Sequence, residues 1–515
     1  MIAKIGRQMT GHNENMQRIA KNTMMLYVRM MFMMFLGLFT SRIVLTALGE
    51  DDFGVYNVVG GVVAMFTVIS GSLTAAVTRF ITFEMGKGSQ GQVQKVYSTA
   101  VLVLALLSLI VAVLAEPVGL WFIENEMTIE PSRIPAARWV LHFSILSFVI
   151  NLMSVPQMAS ITAHEQMSVY AGIGILDGVL RFVVALLTSR SSFDRLALYA
   201  ALMTSVVLVV RLAYGIYCRR HIPECRYRMV FEPSLLKEMF AFASWNFIGS
   251  ASGVLRDQGG NILINVFFGT AVNAARGVAA QLNGAIQSFV TNFMTAVNPQ
   301  ITKSYASGDK EYTFALVRKS SRMSYYLLFV FALPVLFTTD YLMELWLKDV
   351  PEYSVSFVQL FLVFSLCESL SRPLMTALLA TGRIRNYQLT VGGIQLLNIP
   401  ISYIVLTKGG APEMTIVVSI VISVISLFMR LLMFSRMTGF SIRYFLKQVL
   451  LNVFVVTVSA LAIPFVLSEF YCADDFLSFG VMASITFLAA VLSVFYLGMT
   501  GPERKSVLKI FRFWT

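Results

Sequence analysis

Long apolar stretches dominate this chain, and the thickness of a bilayer limits what they can become. They recur near 22–48, 53–85, 97–122, 137–161, 168–188, 195–217, 238–268, 271–302, 323–346, 355–380, 387–406, 412–434, 449–468 and 477–499. About 20 apolar residues wound as a helix cross about 30 Å of hydrocarbon. Inside lipid only a helix or a closed barrel satisfies its own backbone. Turns bearing Gly, Pro or charge separate the stretches. The expected fold class is an all-α integral membrane protein of about fourteen transmembrane helices. Composition agrees, with 57% hydrophobic and 13% charged residues and a mean hydropathy of +0.72, against about a quarter charged in soluble proteins.

The net charge of +12 points to a membrane surface. No compact Lys/Arg tract interleaved with aromatics appears, so nucleic acid is not an expected partner. With the N-terminus in the cytoplasm, alternate loops on that side carry 25 of the 40 Lys and Arg residues. The opposite side carries six: Arg133, Arg138, Arg190, Arg195, Lys348 and Lys408. Such a bias sets orientation, and an even span count returns the C-terminus to the cytoplasm. The first apolar stretch is too long for a signal peptide and lacks a small-residue cleavage site, so it is expected to stay as a span.

Cys218 and Cys225 flank a basic loop with His221, at a gap that does not match zinc spacings. They read as structural thiols, and no metal or cofactor is expected. The scattered His12, His142, His164 and His221 form no catalytic constellation.

The basic loop after span six divides the chain. The expected organisation is a six-helix lobe at 1–218, an inter-lobe loop at 219–237 and a second six-helix lobe at 238–436. Two further helices and a basic tail occupy 437–515. A weak self-match at an offset of 220 pairs Gly49 with Gly269, Ala76 with Ala296, Ile81 with Ile301 and Gly88 with Gly308. Two parallel lobes around a central cavity would follow. Spans one, two, seven and eight are longer than a straight crossing needs. They hold breakers: Gly60, Gly61 and Gly71; Gly249, Gly253, Gly259 and Gly260; Gly277, Gly284 and Pro299. Irregular helices survive where they line protein or water, so these four are expected to border the cavity. Tilt alone is the competing explanation.

Nine arginines lie inside spans. A charge at mid-bilayer is costly even on the lenient scale, about 2.5–3.5 kcal/mol. Arg211 and Arg430 lie near cytoplasmic ends and Arg276 near the outer end, where snorkelling relieves the cost. Asp177 with Arg181, and Glu368 with Arg372, stand four residues apart, a spacing that stacks each pair on one helix face. Either pair is an internal ion pair or a protonation switch. Arg29, Arg42, Arg79 and Arg256 remain, all on the long spans. Their guanidinium forks suit phosphate oxygens. The alternative is gate pairing with Asp257 or Glu84. Arg256 and Asp257 are neighbours and point about 100° apart on a helix, so they need not pair.

The stretch Asn22–Arg42, followed by Leu48-Gly49-Glu50-Asp51-Asp52-Phe53-Gly54-Val55-Tyr56-Asn57-Val58-Val59-Gly60-Gly61, resembles the opening of bacterial polysaccharide-repeat-unit flippases, the O-antigen and capsule translocases. These belong to the multidrug/oligosaccharidyl-lipid/polysaccharide (MOP) exporter superfamily. The run Asn261–Gly269, ending in Phe267-Phe268-Gly269, looks like the matching turn of their second half. The resemblance implies two six-helix lobes whose cavity opens alternately to each side of the inner membrane. Its implied cargo is undecaprenyl-diphosphate-linked oligosaccharide, turned from the cytoplasmic to the periplasmic leaflet for O-antigen, capsule or exopolysaccharide synthesis. Membrane lipids and a polysaccharide polymerase are the implied partners. Arg29, Arg79 and Arg256 are the positions carried over as cavity arginines. Coupling to H+ or Na+ is common in that superfamily, though no coupling motif stands out.

A multidrug exporter of the same fold is the nearest rival, but organic cations favour acids over an arginine surplus. A peptidoglycan-precursor exporter is chemically closer. A membrane glycosyltransferase or polymerase is the rival of another class, because Glu50-Asp51-Asp52 could mimic an acidic catalytic loop. Read as solvated turn charges, Asp51 and Asp52 would be dispensable to a carrier and indispensable to such an enzyme.

Overall fold

A computed structural model describes residues 19–504, apart from 20, 38, 41–42, 45, 50–51, 53–54, 57–58, 60–66, 89, 126–129, 229–231, 348–349 and 471–474. Arg42, Glu50, Asp51, Gly60 and Gly61 therefore lie outside the described residues. Among those described there is no strand. The helices are α1 (21–37), α2 (Thr67–Gly86), α3 (Gln90–Asn125), α4 (Ile134–Ala163), α5 (Met167–Ser189) and α6 (Arg195–His221). Pro233–Ala306 runs on as helix except at Gly269, whose φ of 83° breaks it into α7 (233–268) and α8 (270–306). Then come α9 (Lys310–Phe337), α10 (Ser354–Ala380), α11 (Arg385–Thr407), α12 (Met414–Thr438), α13 (Ile442–Leu467) and α14 (Phe476–Gly498).

Ten of these are long and apolar enough to cross a membrane: α3 to α6 and α9 to α14. They match expected spans three to six and nine to fourteen. Spans one and two include residues outside the described set. The α7–α8 pair is fully helical on either side of Gly269, yet it is not among the ten.

A helix starts ahead of its apolar stretch where its N-cap stands upstream of that stretch. The ninth begins at Lys310, well before the apolar run, because the Asp309 carboxylate accepts from the Tyr312 N–H at 3.0 Å. Arg318, Lys319 and Arg322, expected in a loop, therefore sit on α9. This is N-capping, in which a short acidic side chain satisfies orphan N–H groups. The glycines paired by the internal match behave alike. Gly49 and Gly269 have φ of 78° and 83°, and Gly88 and Gly308 have 75° and 79°. A left-handed residue costs glycine little, so both halves turn the chain at the same two places.

The chain divides into two compact units, Arg18–Phe247 and Ile248–Thr515. In the first, α4 packs against α6, α3 and α2, and α1 meets α5 through Gly174 and Gly178. In the second, α10 packs between α9 and α12, and α14 lies on α9. The last two helices are thus docked rather than loose. Glu503, nearly buried, accepts from Arg322 at 3.0 Å and meets Lys319 at 3.3 Å. Tyr325 meets Thr457 at 2.9 Å, and Tyr326 bonds Asn452.

Candidate functional site: the arginines and the polar face of α7 and α8

In the unit Arg18–Phe247, the expected cavity arginines sit against protein. Arg29 lies in a notch on α5: a Cβ on Gly174 would stand 2.2 Å from its Nε. Its guanidinium covers the Tyr170 ring at 4.7 Å. Arg79 is surrounded by aromatic rings, Phe80 at 4.7 Å, Phe83 at 4.4 Å and Phe242 at 5.4 Å. Glu84 pairs with Lys87 at 3.0 Å. Asp177 and Arg181 form the ion pair their spacing suggested, with Nε 2.9 Å from both carboxylate oxygens.

Asp52 overturns its reading as a solvated turn charge. It is 7% exposed and held by Arg133, which also reaches Asp194 at 2.9 Å. The three residues come from three segments far apart in sequence, so no local pattern announced them. Removing Asp52 would therefore disturb the fold as well as any chemistry, and cannot separate carrier from enzyme.

In the unit Ile248–Thr515, α7 shows three faces. Ile248, Leu255, Ile262 and Val266 are exposed within about 40° of one another on the wheel, an apolar strip fit for lipid. Ser250, Asp257, Gln258, Asn261 and Asn265 gather on a different arc of about 100°, exposed apart from the half-buried Asn261. The third face is inward. Gly249 and Gly259 leave space for Gln388 and Ile399, where a Cβ would come within 1.8 Å and 2.7 Å of those side chains.

On α8 the exposed face is Gly277, Ala280, Gln281, Gly284, Ala285 and Thr291. Among its described residues, α8 exposes no large apolar side chain. Gly277 and Gly284 have nothing within 4 Å of a built Cβ, so no neighbour explains their smallness. Small residues let backbone or ligand approach closely.

Behind it lies a charge cluster. Arg256 and Asp257 do pair, at 2.9 Å, despite being neighbours. Arg276 is 7% exposed. Its Nη2 donates to the Asp257 carbonyl at 3.3 Å, and a Cβ on Gly260 would stand 2.5 Å from its Nη1. Arg276 therefore folds back across the Gly269 turn rather than snorkelling outward. Gly260 and Arg276 lie nine residues before and seven after that turn.

The expected Glu368–Arg372 pair is not the contact made. Glu368 accepts from the Ser423 hydroxyl at 2.7 Å and meets Arg430 at 3.9 Å, while Arg372 donates to the Gln287 carbonyl oxygen at 2.8 Å. Arg430 is 1% exposed, so it does not snorkel either. Arg256 and Arg372 also act on Glu368 electrostatically. Four arginines and two carboxylates leave this region cationic. A cluster of at least three His, Cys, Asp or Glu that could hold a metal is absent among the described residues.

The comparisons with known proteins fit this geometry. The family model for "Polysaccharide biosynthesis protein" matches residues 19–305. Curated protein sequences give no match. An outward-facing multidrug-resistance MATE transporter of the MOP superfamily superposes with a TM-score of 0.70 at 11% identity, covering 81% of this chain and 96% of that one. A MOP-superfamily transporter from Pyrococcus furiosus, described as having a binding pocket of reverse polarity, gives 0.69 at 11% over 82% and 96%. The Vibrio cholerae MATE transporter VcmN gives 0.67 at 15% over 85% and 100%. At such identities these matches establish the fold. The chain belongs to the polysaccharide biosynthesis protein family and is a multi-pass helical membrane protein with the fold of MOP-superfamily transporters.

Proposed function

We propose that this protein carries undecaprenyl-diphosphate-linked oligosaccharide repeat units from the cytoplasmic to the periplasmic leaflet of a bacterial inner membrane. It does so by alternating access between two six-helix lobes, with both termini in the cytoplasm and without covalent chemistry. The observation that carries this reading is the exposed face of α8, built of small residues with Gln281 and Thr291 and free of large apolar side chains, beside the Arg256–Arg276 cluster. Sugar hydroxyls suit the first and phosphate oxygens the second. Arg29, Arg79 and Arg42 serve the same cargo from the first lobe. Asp257, Glu84, Asp177, Arg181, Glu368 and Arg372 act as gate or positioning residues. Deleting the gene should abolish surface polysaccharide and leave lipid-linked repeat units in the inner leaflet. Normal delivery of those units to the outer face would refute the reading.

Multidrug export is the second reading, favoured by the likeness to a multidrug-resistance transporter. The arginine excess repels organic cations, so overproduction should leave susceptibility to cationic drugs unchanged.

A further inference from the structure

The Arg256–Asp257 pair is lopsided. Asp257 keeps 62% of its side chain exposed and Arg256 only 11%. The pair shows its acid outward, so an anion approaching from the open side meets a carboxylate first. Arg276 stands close by, bonded to the Asp257 backbone. Its buried Nη1 has no acceptor, in a space that exists because residue 260 is glycine. A buried donor left unsatisfied is costly. Arg256 thus takes the Asp257 carboxylate, Arg276 only the carbonyl of the same residue, and Arg276 keeps a spare N–H. An anion with several oxygens satisfies both forks at once, as a diphosphate does.

We propose that Asp257 holds the place of the cargo's phosphate. In the empty carrier its carboxylate occupies Arg256. A diphosphate bridging Arg256 and Arg276 displaces it, and its return speeds release. Asp257 thereby spares the empty protein a bare cation cluster within the membrane and keeps the loaded site from binding too tightly to let go. This rests on the reading above that the cargo is a diphosphate.

The test is binding of a polyprenyl diphosphate to the full chain in nanodiscs of neutral phospholipid, with inorganic pyrophosphate as a soluble second arm. An exposed tethered carboxylate competes by a factor of up to about five. Asp257→Asn should therefore bind both probes about two- to fivefold tighter and release them more slowly. Asp257→Glu should behave as wild type. In an Arg256→Met background the gain from Asp257→Asn should vanish, which a general change of surface charge would not produce. Asp257→Ser repeats the test if Asn disturbs the helix. Unchanged or weaker binding by a variant of wild-type thermal stability overturns the proposal, as does an equal gain without Arg256. A gain confined to inorganic pyrophosphate overturns the assignment to a lipid-linked cargo. If the wild type binds neither probe and moves no lipid-linked units, the functional reading falls and this falls with it. If the wild type binds but Asp257→Asn does not tighten, only the competitor role falls.

Discussion

The buried contact between Glu368 and Arg430 makes an asymmetric prediction. Glu368 lies in the field of three guanidinia, those of Arg430, Arg256 and Arg372, and also accepts from Ser423. Arg430, 1% exposed, meets one carboxylate, that of Glu368. Removing one member of a buried pair costs about 3–5 kcal/mol because the other charge is left uncompensated. Glu368→Gln strands Arg430 and should incur that full cost. Arg430→Met leaves Glu368 two other cations and should cost less, about 1–3 kcal/mol. The double variant should cost less than the sum of the two, because neither charge is stranded. Tryptophan-fluorescence melting in detergent reads the difference. At about 2–4 °C per kcal/mol for a unit of some 200 residues, Glu368→Gln should lower the midpoint by on the order of 10 °C. The reasoning is refuted if Arg430→Met is the more damaging change, or if the two effects simply add.

Asp52→Asn should lower thermal stability by about 1–3 kcal/mol, since it leaves Arg133 with Asp194 alone; a midpoint equal to wild type would contradict the buried clasp. Gly284→Leu should block translocation of lipid-linked units while leaving the melting midpoint unchanged or raised, because a Cβ at 284 meets nothing and glycine costs a helix about 1 kcal/mol. Glu503 lies outside the membrane-spanning helices. Burial alone would raise its pKa, but the Thr500 N–H, Arg322 and Lys319 outweigh that and hold it below the usual carboxylate value. Its stabilising contribution is therefore present above the ordinary carboxylate pKa and lost as pH falls through the depressed one. Wild type should be more stable than Glu503→Gln at neutral pH, and the gap should close on acidification below about pH 4.5.

The sequence by itself determined the elements. A bilayer accepts only long apolar helices, so span positions could be read without neighbours. The unusual length and the Gly and Pro breakers of spans seven and eight were equally legible, because they are properties of single helices. Spacing also gave the Asp177–Arg181 pair, whose members share one helix. It failed for Glu368 and Arg372. Four-residue spacing says which face two residues share, but not what faces them. Ser423 and Arg430 approach Glu368 from α12, and Gln287 approaches Arg372 from α8. Glycines were ambiguous for the same reason. Gly249, Gly259 and Gly260 make room for neighbouring side chains, whereas Gly277 and Gly284 open onto empty space, and residue type alone cannot separate the two uses. Local periodicity thus fixed where helices run and which residues they carry. Tertiary structure decided which charges meet, because each buried charge is settled by the partner that packing brings to it.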